Sequence, residues 1–286
     1  MERLTPERAE KLLHAITGVH VLVVGDIMLD RLISGTAERI SPEAPVPVVT
    51  VSGEDASLGG AANVAANIVA MGASCSLVGL CGSDESAVRL WSELERLGID
   101  DDSLVQATDR PTTTKTRVMV GHHQVVRFDR EDTTDIPKAQ ASAIRDSALG
   151  LLPKADVVVL EDYNKGLLVP SVIEAVLKAA AEAGIPTVVD PKRLRFFGYA
   201  GSTMFKPNAR ELADALGEPL HSDDPDWMEA VRARLDCHGL LVTLGASGMA
   251  RLANHAAAVE VGRAGVATVR SPDIVDHIRA LHSKRL

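Results

Sequence analysis

The chain has 286 residues, 46% hydrophobic and 24% charged, which is enough apolar material for one large α/β domain, read as residues 1–286, with an ordinary polar surface. Lys and Arg total 30 against 39 Asp and Glu, a formal net charge of −9 with no basic cluster, and this excludes nucleic acid as the main partner, because neutralising phosphates needs cations in quantity. No apolar run approaches the roughly 18 residues of a membrane span, and the charged start Met1-Glu2-Arg3 is no signal peptide, so the expectation is a soluble, cytoplasmic protein with no membrane partner.

The segment His20 to Asp26 (HVLVVGD) is a short apolar run that ends in Gly-Asp, the pattern of a buried parallel strand delivering a carboxylate at its C-terminal end. Residues 27–52 then carry Pro42, Pro45 and Pro47 among β-branched residues, which suits exposed edge strands. Gly59-Gly60 opens an alanine-rich helix that ends near Gly72, 76–82 is a second apolar strand, and Asp84 is placed to cap the helix after it. Residues 112–120 and 124–129 read as a hairpin turning at Gly121-His122-His123.

Beyond the hairpin the chain alternates regularly. Strands are expected at 156–162, 186–190, 202–206 and 239–244, with helices near 137–150, 171–184, 208–216 and 225–236. Such alternation means a mainly parallel sheet covered on both faces. The two non-helical insertions, about 31–52 and 112–130, are expected to pair into a small lid sheet beside it. The cysteines Cys75, Cys81 and Cys237 form no C-x-x-C pair and read as core residues.

Ligands of open α/β sheets bind beyond the carboxyl ends of the strands. Asp26, the run from Glu161 to Lys165, Asp190-Pro191-Lys192, Lys206-Pro207-Asn208 and Thr243-Leu244-Gly245 all fall at such ends, which points to one large site. Asn208 and Glu211, spaced by three at a helix start, form either an N-cap with an acidic first turn or a pair of oxygen donors for a hard cation, and the two readings are compatible. Lys115, Arg117 and Arg127 on the hairpin are either solvated charges or an anion site. No G-x-G-x-x-G follows the first strand, which argues against a dinucleotide-binding oxidoreductase.

In order along the chain, VGDIMLDR (24–31), ISPEAPVPVV (40–49), GGAANVAANI (59–68), TTKTRV (113–118), VVRFDRE (125–131), EDYNKG (161–166), DPK (190–192), KPNARE (206–211) and VTLGASGM (242–249) resemble the heptose 7-phosphate kinases of the ribokinase-like (PfkB) carbohydrate kinase family. The resemblance implies a three-layer α/β fold with a small β lid, and a homodimer through the lid. It also implies ATP and Mg²⁺ as cofactors, with phosphorylation of D-glycero-D-manno-heptose 7-phosphate at C1 in ADP-heptose synthesis for lipopolysaccharide core.

By the same resemblance the sugar phosphate is held by Asp26, Asp30, Gly59, Gly60, Asn63, Lys115, Arg117, Arg127, Asp162 and Lys165. The nucleotide is held by Lys206, Asn208, Glu211, Thr243, Gly245, Gly248 and Asn254, with Asn208 and Glu211 ordering Mg²⁺ through water. Asp162 also reads as a loop cap, and the segment around Asn254 also reads as a core helix.

Members of that family carry D-x-x-G-A-G-D, whose last Asp is the catalytic base, between the V-T-x-G loop and the alanine-rich helix. Here VTLGASGM ends at Met249 and the alanine-rich stretch begins at Ala250, while Asp273 and Asp276 are the only aspartates after Gly239. The join reads as a block deletion, so no residue is assigned as base. A catalytically inactive sugar-phosphate or nucleotide binder, or a kinase for another phosphosugar, remains the alternative.

Overall fold

The computed structural model describes residues 5–99, 102–244 and 270–283. The first helix, α1 (Pro6–Ile16), leads into β1 (His20–Gly25), which is followed by β2 (Ile27–Ile40), β3 (Pro47–Gly60) and α2 (Ala61–Ala70). Next come β4 (Ser74–Val78), β5 (Leu80–Gly82), α3 (Glu85–Leu97), β6 (Val105–Ala107), β7 (Thr114–Val120) and β8 (His123–Arg130). The regular half consists of α4 (Lys138–Leu151), β9 (Val157–Glu161), α5 (Pro170–Ala183), β10 (Thr187–Asp190), β11 (Met204–Phe205), α6 (Ala209–Leu216), α7 (Pro225–Leu235) and β12 (Gly239–Leu240). The last described helix is α8 (Ser271–Ser283).

Six strands form a parallel sheet in the order β12-β11-β10-β9-β1-β4. Alternation along β1 and β9 sorts their side chains onto two faces, as a strand period of two requires. Leu22, Val24, Val158 and Leu160 enter the core with α4 and α5, while Val21, Val23, Val157 and Val159 meet α2 and α3 on the other side. This is the expected α/β architecture with a mainly parallel sheet. Cys75, Cys81 and Cys237 are free and buried, and no helix among the described residues is long and apolar enough to cross a membrane.

The two insertions build a separate mixed sheet, β3-β2-β7-β8. β2 pairs antiparallel with β3 and parallel with β7, and β7 returns antiparallel into β8. The segment expected to hold exposed edge strands forms, with the residues up to Gly60, two strands of 14 residues each. The cluster Pro42, Pro45 and Pro47 sits at the turn between them and at the start of β3, where the missing N–H groups cost no ladder bond. The lid therefore begins immediately after Asp26 and runs back directly into α2.

The expected strand at 202–206 shrinks to Met204–Phe205, and Pro207 just beyond it has no N–H to extend the ladder. The one expected at 239–244 is likewise two residues long, with a further isolated parallel bridge between Asn208 and Thr243.

β1 and β9 approach closely at their C-terminal ends. A Cβ built on Gly25 would lie 2.2 Å from the carbonyl oxygen of Glu161, and the N–H of Asp26 donates to that same oxygen at 3.0 Å. Gly25→Ala should therefore force the two strands apart and destabilise the chain by about 1–3 kcal/mol, the usual cost of overpacking. Urea unfolding monitored by circular dichroism checks this, and an unchanged midpoint would show that the strand ends give way freely.

Candidate active site

Asp26 leaves β1 with its side chain 3% exposed. One of its oxygens accepts from the N–H of Tyr163 at 2.8 Å and of Lys165 at 3.0 Å, and the other from Leu167 at 3.3 Å. Burial pushes its carboxyl up, and these three donors oppose that shift. The side chain also lines a small cleft with Arg110, Thr113 and Lys165. Asp162 is 2% exposed and takes the N–H of Asn164 at 2.7 Å and the hydroxyl of Tyr199 at 2.7 Å. Each oxygen of Asp162 thus accepts one bond within the chain, the loop-capping arrangement, and each keeps a further lone pair.

The glycine pair is bare for an internal reason. A Cβ on Gly59 would stand 2.4 Å from Oδ2 of Asp30, and one on Gly60 would stand 2.4 Å from the carbonyl oxygen of Asp26. Gly60 also has a φ of +58°, which L side chains rarely adopt. Asp30 and the Asp26 backbone thus pack directly against the bare α-carbons of the two glycines. Asn63 sits one turn into α2 and accepts from the amide of Asn67 at its main-chain oxygen and, at 3.2 Å, at its Oδ1.

The four expected phosphate-binding cations gather where the lid meets the loop after β9. Arg117 holds Asp30 at 2.5 Å, and Arg127 donates twice to Asp129, at 2.9 and 2.7 Å. The Arg127 bonds, with Lys115 nearby, hold the Asp129 carboxyl down at about 2. Lys115 stands 3.5 Å from Asp129 and 3.6 Å from Glu131, and Lys165 lies 2.8 Å from Glu131. Sequence reasoning named the cations but missed Asp129 and Glu131, although both stand in the quoted VVRFDRE stretch. It also missed Arg110, whose buried guanidinium donates to the carbonyls of Asp132, Thr134 and Lys165.

A second charged group lies at the ends of β9, β10 and β11. Glu161 and Asp190 are opposite one another in register, and Lys206 pairs with Asp190 at 2.8 Å. Asn208 and Glu211 form a reciprocal capping box at the start of α6, Asn208 Oδ1 accepting from the Glu211 N–H at 2.8 Å and a Glu211 oxygen accepting from the Asn208 N–H at 2.9 Å. The other Glu211 oxygen pairs with Lys192. The N–H of Ala209 donates to the Thr243 carbonyl at 2.9 Å, which fastens the loop after β12 to the head of α6. Gly245, Gly248 and Asn254, the join at 249–250, and the alanine-rich stretch lie outside the described residues.

Mg²⁺ bound by one carboxylate through its own waters and phosphate oxygens fits this donor set. Among the described residues no cluster of three or more His, Cys, Asp or Glu is placed to hold a metal.

The same architecture recurs in known proteins. Residues 19–276 match the model of the pfkB family of carbohydrate kinases, and the chain belongs to that family. The bifunctional protein HldE of Azorhizobium caulinodans is 46% identical over 231 residues, which cover 80% of this chain and 48% of that protein. The chain spans about half the length of the curated relatives it matches.

Among solved structures, phosphofructokinase-2 of Escherichia coli in complex with potassium superposes with a TM-score of 0.71 at 16% identity, covering 92% of this chain and 99% of that one. Ribokinase of Arabidopsis thaliana, complexed with ribose and ATP, superposes with a TM-score of 0.64 at 16% identity, covering 91% and 99%. The fold is therefore ribokinase-like, with the mixed sheet as its lid.

Burial beside Asp190 pushes the Glu161 carboxyl up to about 8 from an ordinary 4.5, against the pull of Lys206 and Lys192. The folded chain thus takes up a proton that the unfolded chain has lost. Glu161 leaves stability intact below about pH 4.5 and erodes it progressively as pH rises to about 8. Glu161→Gln, which keeps the shape without the charge, should flatten that decline and unfold at higher urea than wild type near pH 8. Equal slopes in the two chains between about pH 5 and 8 would refute the assignment.

Proposed function

We propose that the chain is an ATP-dependent kinase that phosphorylates D-glycero-D-manno-heptose 7-phosphate at C1, acting in the cytoplasm in ADP-heptose synthesis for lipopolysaccharide core. The observation that carries this reading is the convergence of Lys115, Arg117, Arg127 and Lys165 from the lid and the core on one place beside Asp26 and Asp30. Such a group suits an acceptor that already bears a phosphate, because guanidinium and ammonium donors match its oxygens. The identity to HldE proteins over most of this chain supports the heptose as that acceptor.

In this reading Lys115, Arg117, Arg127 and Lys165 grip the 7-phosphate. Asp26, Asp30, Asn63 and Asp162 face the sugar hydroxyls with the Gly59-Gly60 turn behind them, and Asp26 and Asp162 also keep the 162–167 loop in shape. Lys206, Asn208, Glu211 and Thr243 mark the nucleotide side, with Gly245, Gly248 and Asn254 continuing it. Mg²⁺, when bound, supplies positive charge to the ATP phosphates, and Glu211 with Asn208 would order it through water. Phosphoryl transfer rests mainly on such positioning and electrostatics.

A second reading is favoured by one sequence fact: no D-x-x-G-A-G-D segment follows the V-T-x-G loop, so the family's base is missing. The chain would then bind sugar phosphate or nucleotide without transferring phosphate. A positioned base contributes about 10²–10⁴-fold to rate. ADP release by the full chain, given Mg-ATP and the heptose 7-phosphate, separates the two. Release that depends on the sugar, slowed by about that factor relative to a member that has the segment, supports the kinase. Binding of both ligands with no ADP supports the binder, and failure to bind either sinks both readings.

The outer lid strand supports a homodimer through the lid. Val125, Val126 and Phe128 are 40%, 47% and 52% exposed on β8, and Ile40, Val46 and Val51 are exposed at the far end of the lid. Phe128→Asp should convert a dimer into monomers in sedimentation equilibrium, and a monomeric wild-type chain at micromolar concentration would end the proposal.

A further inference from the structure

All four cations assigned to the substrate phosphate are already paired in the free chain, with three carboxylates: Asp30, Asp129 and Glu131. A phosphate monoester brings about −1.5 to −2 charges and three acceptor oxygens. Seating it beside all three carboxylates would crowd like charges in a partly buried place, so one of the three has to leave.

The structure distinguishes them. Asp30 is 8% exposed, carried on β2 and packed against Gly59. Asp129 lies on β8 opposite Lys115 in register and takes both bonds from Arg127. Glu131 is the first residue past the last ladder pair, Thr114 with Arg130, and no strand holds it. Its Oε2 is buried between Lys115, from the lid, and Lys165, from the loop after β9. The main chain behind it is pinned, because Arg110 binds the carbonyls of Asp132 and Thr134 and also that of Lys165. A change of Glu131 rotamer can therefore clear the place without moving the backbone.

We propose that Glu131 is a specificity-determining residue whose carboxylate occupies the phosphate position in the free chain, holding Lys115 and Lys165 together until a ligand bearing a phosphate dianion displaces it. A sugar without that phosphate has nothing to offer the two ammonium groups in exchange and leaves Glu131 in place. The inference rests on the reading that these cations serve the substrate phosphate.

The test is calorimetric titration of the wild-type chain and Glu131→Gln with three probes: D-glycero-D-manno-heptose 7-phosphate, the same heptose without phosphate, and inorganic phosphate. The variant is expected to bind both phosphate-bearing probes roughly fivefold tighter, the factor corresponding to one partly exposed ion pair of about 1 kcal/mol, with the plain heptose unchanged. Phosphate binding that is unchanged or weaker overturns the proposal, as does equal tightening for the plain heptose. Tighter inorganic phosphate with no heptose 7-phosphate binding to either chain upholds Glu131 as placeholder and removes the proposed substrate. Absence of any phosphate binding overturns both. Should the Gln chain fail to fold, Glu131→Ala carries the same expectations.

Discussion

Three backbone N–H groups, from Tyr163, Lys165 and Leu167, end on the buried carboxylate of Asp26. A carboxylate taken out of water is costly, and these amides offset part of that cost, although burial still pushes the carboxyl up. The main-chain oxygen of the same residue accepts from Ala61 and so starts α2, while its N–H donates to Glu161 and so closes β1 onto β9. One residue thereby fixes the end of a central strand, the root of the lid, the start of a helix and the course of the loop that carries Lys165. Gly25 and Gly60 stand beside it because the chain passes too close for a Cβ.

Around that anchor the head of the sheet holds two charged groups of different character. The lid group is partly solvated, so its ion pairs are individually weak and exchangeable. The group at Glu161 and Asp190 is buried, and there desolvation outweighs the attraction of two lysines, so the carboxyls are pushed towards their neutral forms. The first arrangement suits a place where a charged ligand exchanges with the protein's own side chains. In the second, burial favours carboxyls that keep a proton, and the capping box of Asn208 and Glu211 adds to its rigidity.

The capping box also shows why residue types alone leave a role open. Asn208 and Glu211 satisfy each other's N–H groups at the helix start and still present a carboxylate oxygen next to Lys192. Asp162, by contrast, accepts from Asn164 within its own loop and from Tyr199, which lies 37 positions away, so no local pattern could have shown the second partner. The lid has a similar long-range part: β2 pairs along its length with its neighbour β3, but over Leu29–Gly35 also with β7, more than eighty residues further on.

The sequence by itself determined the alternation of strand and helix, the sorting of apolar residues onto two faces, the caps at Asp84 and Asn208, and the motifs of the carbohydrate kinase family. Each of these depends on spacing within a few residues, which a linear chain displays. Only the tertiary structure decided which carboxylates oppose the cations, that Glu131 joins lid to core, and that Glu161 shares its burial with Asp190. Those facts depend on distances between segments far apart in the chain, and on the local loss of water that makes a charge costly or cheap to hold.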